Sequence, residues 1–264
     1  MADTFISALK FHQMLYRLAS LLTIILLSIT NLEAQLQKDN KLNILAINIT
    51  YASQWPAADM SDRFGNNLEI GLGLDYITKE KNYILGITGN FHFGNKVFEN
   101  PLTSIENQNG NIVGIDQGAA FVSLKQRGLY AGVLIGKIFK LPGSNARSGL
   151  RVTIGSGLLQ HKIRLQDDLE TVNLIKGDYK KGFDKLSNGL AFHQFIGYEL
   201  FSNNRLLNFM IGVESYQAFT KSRRSFDFAT MSVDNTERLD ILFGIKAGWI
   251  LPLYLNFDPD EIYY

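Results

Sequence analysis

The chain has 264 residues, with 26 Lys and Arg against 25 Asp and Glu, a net charge of +1 and no cysteine. The near-neutral balance argues against a nucleic-acid partner, which calls for a basic excess, and the empty cysteine count excludes zinc fingers, thiol catalysis and disulfide staples. At 46% hydrophobic and 19% charged residues, the chain is too polar for a bundle of membrane helices but long enough for one large domain.

The first element in chain order is the apolar run Leu18–Ile29, about a dozen residues where a spanning helix needs roughly 20. It follows Lys10 and Arg17 and precedes the small and polar segment Asn31 to Gln35, the order of parts in a secretory signal peptide. Residues 1–34 are therefore expected to be cleaved after Ala34, leaving 35–264 as one domain. Initiation at Met14 leaves a more compact signal, and a retained anchor helix is the alternative. The absence of cysteine rules out a lipoprotein.

After a polar lead, Leu45, Ile47, Ile49 and Tyr51 alternate with Ala46, Asn48, Thr50 and Ala52, the period-2 pattern of a strand with two unlike faces. Ser53–Arg63, with Trp55 and Pro56, interrupts the pattern and is expected to be a loop. Strand two, Phe64–Ile77, shows the pattern most clearly. Leu68, Ile70, Leu72, Leu74 and Tyr76 share one face, while Asn67, Glu69, Gly71, Gly73 and Asp75 share the other. Glycine weakens a strand unless something crowds it. Small and charged residues facing a narrow lumen, with large apolar ones facing lipid, account for both faces.

Six further strands repeat the pattern: 82–94, 127–139, 149–165, 188–201, 206–219 and 238–251. The far end of the fifth, Gln160 to Arg164, is too polar for lipid and is expected to project past it. Thr78–Lys81, Leu141–Arg147 and Ser202–Arg205 are short connections, and the four that alternate with them are longer. Short turns at one end and long loops at the other, with an even strand count, define an all-β fold: a closed eight-stranded antiparallel transmembrane β-barrel with both termini in the periplasm. Closure removes the edges that hydrocarbon would not tolerate.

With these strands, Leu42–Tyr254 resembles the small eight-stranded outer-membrane β-barrels of Gram-negative bacteria, the superfamily of the outer membrane protein A barrel and the PorT-like porin-family proteins. The resemblance implies an outer-membrane location. Its PorT-like branch implies a part in secretion or assembly, as a structural or accessory subunit of an envelope machine. The family's assembly signal, an aromatic residue ending the last strand, matches Trp249 with Tyr254 or, alternatively, Tyr264.

Eight strands leave an interior just wide enough for side chains. Glu69, Asp75, Arg151, Glu199, Glu214, Asp240 and Lys246 are therefore expected to lie buried together and to need partners. Strand order pairs Arg151 with Glu199 and Glu214 with Lys246. A polar plug is the leading reading of this set, and a narrow passive pore for small solutes the alternative. Barrel enzymes that modify lipid A supply another, since a deacylase of that kind uses a lipid-facing His-x-Ser with a nearby acid. His92, His161 and His193 are followed two residues on by Gly94, Ile163 and Phe195, so none has the serine. The expected protein is not an enzyme and needs no cofactor or metal. Its partners are outer-membrane lipid, lipopolysaccharide and a protein of an envelope complex. Lys180, Lys181, Arg223 and Arg224 fall in external loops, where they could meet lipopolysaccharide phosphates or that protein. Aromatic residues near strand ends, from Tyr51 and Trp55 to Phe201 and Trp249, fit an interfacial girdle.

Overall fold

The computed structural model describes residues 42–141, 147–202 and 207–255. The signal peptide, Tyr264 and most of the connections after strands four and six lie outside the described residues. Eight antiparallel strands close into one barrel: β1 (Asn43–Ala58), β2 (Asn67–Ile77), β3 (Tyr83–Gly94), β4 (Ser123–Lys140), β5 (Gly149–Gln166), β6 (Ser187–Leu200), β7 (Phe209–Ser222) and β8 (Glu237–Leu255). Each pairs with its sequence neighbours, and β1 closes on β8 from Asn43 opposite Leu255 to Ala58 opposite Asp240. The expected facing holds on every strand. Leu72, Leu85 and Ile211 are each 60% exposed, whereas Glu69 and Asp75 are fully buried. The outward face of the barrel is a continuous apolar belt far larger than a water-soluble monomer normally exposes.

Cations bracket this belt on β4. Its outward residues run Arg127, Leu129, Ala131, Val133, Ile135, Lys137, and the Lys137 ammonium lies 5.1 Å from the Tyr83 ring and 5.3 Å from the Phe139 ring. Ten residues of strand between Arg127 and Lys137 are about 33 Å long, or about 23 Å in height at a tilt of about 45°. That matches the apolar band of about 25 Å that membrane barrels carry.

Strand ends shift by up to four residues on β4, β7 and β8, and the differences that matter for the interior lie at β1 and β2. The expected loop from Ser53 is strand as far as Ala58. Pairing of β1 with β2 ends at Gln54 opposite Asn67, so Pro56 sits where β1 has a single partner strand, the setting in which a strand tolerates proline. A five-residue helix, α1 (Asp59–Arg63), follows, and strand two begins at Asn67 rather than Phe64. Phe64 turns inward instead and is fully buried, edge-on to His161 at 5.6 Å.

The interior is layered. At the end with the long loops, Met60, Phe64, Leu159 and Ile163 pack with Leu102, Val172, Ile175 and Phe183 from the loops, so those loops are folded over the barrel mouth as well as polar on their outside. At the turn end, Ile44, Ile77, Ile138, Phe201 and Ile250 form a second apolar layer, against which Tyr254 packs. Phe201, expected in the girdle, belongs to this layer: it is 1% exposed, and its backbone exchanges hydrogen bonds with the Ser148 hydroxyl. Between the two apolar layers lie the polar side chains.

Candidate functional site: the polar lumen

The inward parity of the strands delivers the seven ionisable residues into three groups. Nearest the turns, Arg151 on β5 bridges the lumen, its guanidinium 2.5 Å from Asp75 Oδ2 on β2 and 2.8 Å from Glu199 Oε2 on β6. Asn48 on β1 donates to the same Asp75 oxygen at 2.6 Å. In the middle, the Lys246 ammonium on β8 lies 2.6 Å from Glu214 Oε2 and 2.8 Å from Glu69 Oε1. Nearest the loops, Asp240 accepts a hydrogen bond from Thr220 and lies 2.7 Å from His161 Nε2. Arg151 thus meets Glu199, and Lys246 meets Glu214. Each cation also holds a second carboxylate, Asp75 and Glu69, that strand order did not assign to it.

Each of the first two groups sets one permanent cation between two carboxylates, so neutral donors must help to stabilise the carboxylate oxygens. Gln54 does this in the middle group, donating from one amide nitrogen to Glu69 at 2.7 Å and to Glu214 at 2.8 Å. The Tyr216 hydroxyl donates to Glu69 at 2.9 Å and accepts from Asn90 at 2.6 Å. His92 Nδ1 lies 2.9 Å from Gln54 Oε1, and His193 Nε2 lies 3.1 Å from Glu214 Oε2. The His193 ring stacks on Tyr216 at 4.3 Å. Buried charges persist only when paired and hydrogen-bonded, and strands β1, β2, β3, β6, β7 and β8 all contribute to doing so here.

Several of these partners were missed from the sequence for an identifiable reason. Gln54 lies on the inward parity of β1, but reading Pro56 as a strand end placed it in a loop. Tyr216 lies on the parity of Glu214, just past it along β7. The inward parity of His92 and His193 is legible in the sequence, but no spacing ties them to Gln54 and Glu214.

Steric packing explains the inward glycines. A Cβ at Gly86 would collide with Asp75 Oδ1, and one at Gly71 with Thr50 Oγ1 and Asn90 Oδ1. Asp75 cannot swing away, because Arg151 and Asn48 hold it. Gly86→Ala is expected to cost about 1–3 kcal/mol through overpacking, read as a lower urea midpoint for the folded barrel. An unchanged midpoint would show that Asp75 has room to move.

What space remains is small. A void of about 30 Å³ lies among Asp75, Arg151, His193, Phe195 and Lys246, room for one or two waters. Oδ1 of Asp75, Nε of Arg151 and Nδ1 of His193 have no protein partner, so polar atoms that water would satisfy surround it. Among the described residues, no group of three or more His, Cys, Asp or Glu is arranged to hold a metal ion.

Outside the barrel, the four loop cations separate. Both guanidinium contacts of Arg224 go to Asp184, at 2.8 and 2.5 Å, and this hydrogen bonding and charge raise its pKa against the effect of partial burial. Arg223 donates to Asn188. Lys181 pairs with Asp178 at 2.6 Å, which lowers the Asp178 pKa. Arg224 is thus committed to tying one loop to another rather than presented outward, because its acid partner sits within reach across the loop. Lys180 is exposed.

The closed ring of eight antiparallel strands, apolar on its outer face and polar within, gives the chain the fold of a small eight-stranded β-barrel. No protein-family model matches the chain, and no curated protein matches it. Among solved structures, it is similar to Neisserial surface protein A, with 10% identity, a TM-score of 0.40 and coverage of 78% of this chain and 96% of that one. It is also similar to Ail, the attachment invasion locus protein of Yersinia pestis, with 15% identity, a TM-score of 0.35 and coverage of 79% and 99%. The N-terminal β-barrel domain of Pseudomonas aeruginosa OprF shares 10% identity, with a TM-score of 0.34 and coverage of 78% and 96%.

Proposed function

We propose that this chain is exported to the outer membrane, with both termini periplasmic, as a non-enzymatic barrel that carries no solute through its lumen. Its work is then structural, or that of an accessory subunit in an envelope secretion or assembly machine. The observation that carries this reading is the filled interior: two apolar layers enclose a hydrogen-bonded ionic layer, inside a barrel whose outside is an apolar belt. A barrel closed in this way has only its outer surface and its loops to offer another molecule. The three described histidines support the non-enzymatic reading, because each is buried on the lumen side rather than presented to lipid. The secretion or assembly role comes from the PorT-like resemblance and is an analogy.

The purified barrel is expected to give no steady conductance in planar bilayers, and large stable channels would refute the plugged lumen. Heat-modifiable gel migration tests the membrane barrel itself. For the accessory role, the test is copurification after mild detergent extraction. One defined envelope protein should accompany the barrel, and recovery only as a monomer would refute that role.

A further inference from the structure

At the loop end of the β4–β5 hairpin, four cations form one block on the outward face. Lys125 lies directly opposite Arg164, and Arg127 directly opposite Lys162. Like charges directly opposite each other on one face of a sheet repel, so the block destabilises itself unless anions sit over it. The β7–β8 pair avoids the problem, because there Lys221 lies opposite Glu237.

Protein carboxylates do not supply those anions. Among the described residues, Lys125 donates to the Gln166 side chain at 2.9 Å and Arg127 to the Gln126 carbonyl at 2.6 Å, and none of the four is ion-paired. The acids on the loop after β5 have other tasks. Asp167 accepts the Val172 N–H, Asp168 accepts the Gln166 amide, and Asp184 holds Arg224. Glu170 is exposed beside them.

The position of the block is an independent observation. It stands directly above Leu129 and, on β5, is separated by Gln160 from Leu158; the two leucines are 50% and 63% exposed in the apolar belt. On its β3 side, Phe93 lies opposite Arg127 and stacks on Phe91 at 6.0 Å. With Arg127 one band-height from Lys137, the four cations stand at the headgroup level of the outer leaflet. A pocket of about 660 Å³ beside Lys162 and Arg164 has walls of mixed sign, with Lys176 and Lys180 facing Asp167, Asp168, Glu170 and Asp184. The phosphate contacts therefore fall on the outward face of the hairpin rather than in this pocket. Headgroup depth, paired guanidinium forks and missing acid partners suit phosphate on a lipid whose chains lie along the belt below.

We infer that Lys125, Arg127, Lys162 and Arg164 form a binding site for the phosphate groups of a lipopolysaccharide-type glycolipid in the outer leaflet. This inference rests on the outer-membrane reading. The site is distinct from the loop cations at Arg223 and Arg224, which the fold employs internally.

The test measures binding of diphosphorylated lipid A, and of the same lipid with its phosphates removed, to the purified full-length barrel in uncharged detergent micelles. The K125Q/R127Q/K162Q/R164Q variant is expected to bind the diphosphorylated lipid at least about tenfold more weakly. A K79Q/K81Q control at the turn end should bind as the original chain does, and the dephosphorylated lipid should not distinguish the variants. Added salt should weaken only the phosphate-dependent part. Equal affinity of the quadruple variant and the original chain would overturn the site, as would equal affinity for both lipids. Inorganic phosphate competing as well as the lipid would overturn the lipid assignment. Should the quadruple variant fail to fold, K125Q/R164Q and R127Q/K162Q each carry the same expectation at reduced size. Heat-modifiable migration of the original chain is read separately. Its loss would refute the membrane barrel, whereas retained migration with no phosphate dependence would refute the site alone.

Discussion

Replacing Arg151 with methionine is expected to destabilise the folded barrel by about 3–5 kcal/mol, the usual penalty when one partner of a buried ion pair is removed. The guanidinium holds Asp75 at 2.5 Å and Glu199 at 2.8 Å, and all three side chains are buried. Without it, two carboxylates share a small interior with Asn48 as one neutral donor. Urea titration of the refolded barrel in micelles, followed by gel migration, reads the loss. Adding Asp75→Asn and Glu199→Gln to the same chain should recover most of it, because buried neutral groups need no counter-charge. An Arg151→Met midpoint within about 1 kcal/mol of the original would mean that the cluster is not an ionic brace.

Replacing Lys246 with methionine is expected to cost a similar amount, again about 3–5 kcal/mol, and to change the middle of the lumen more. Glu69 and Glu214 are both bridged by the single Gln54 amide nitrogen, so without the ammonium between them two like charges face each other across one donor. Glu69→Gln with Glu214→Gln should relieve the loss. Even so, the Lys246 variant should remain non-conducting in planar bilayers. The apolar layers at Phe64, Leu159 and Ile163 above, and at Ile77, Ile138 and Phe201 below, do not depend on it. Steady conductance from this variant would show that the polar layer alone closes the lumen.

These two clusters show how far the sequence reaches. The alternation of Glu69 and Asp75 with Leu68, Ile70 and Leu72 established which side chains turn inward, because successive residues of any extended strand point to opposite faces. That local geometry holds strand by strand, so the inward placement of Arg151, Glu199, Glu214, Asp240 and Lys246 was legible before any contact was known. Pairing between neighbouring strands was partly legible too. Glu214 and Lys246 lie on β7 and β8, and Arg151 and Glu199 on β5 and β6, so chain order alone suggested both contacts.

Contacts across the lumen were not legible. Arg151 reaches Asp75 from the far side of the ring, 76 residues away in the chain, and Tyr216 reaches Glu69 across 147. No spacing rule connects such positions, because which inward residues share a level depends on the tilt and stagger of the closed sheet. The same stagger decided that β1 outruns β2, which kept Trp55 and Pro56 in a strand and delivered Gln54 to the two glutamates. It also set Lys125 beside Arg164 and Arg127 beside Lys162, four cations that look in the sequence like two unrelated polar strand ends.

The sequence by itself therefore determined that the chain alternates greasy and polar faces over eight segments, and which residues lie on each face, because the pleat is a property of neighbouring residues. Only the tertiary structure decided which of those residues meet, where the lumen closes and which cations remain without an acid, because ring closure alone sets the relative height of one strand against another.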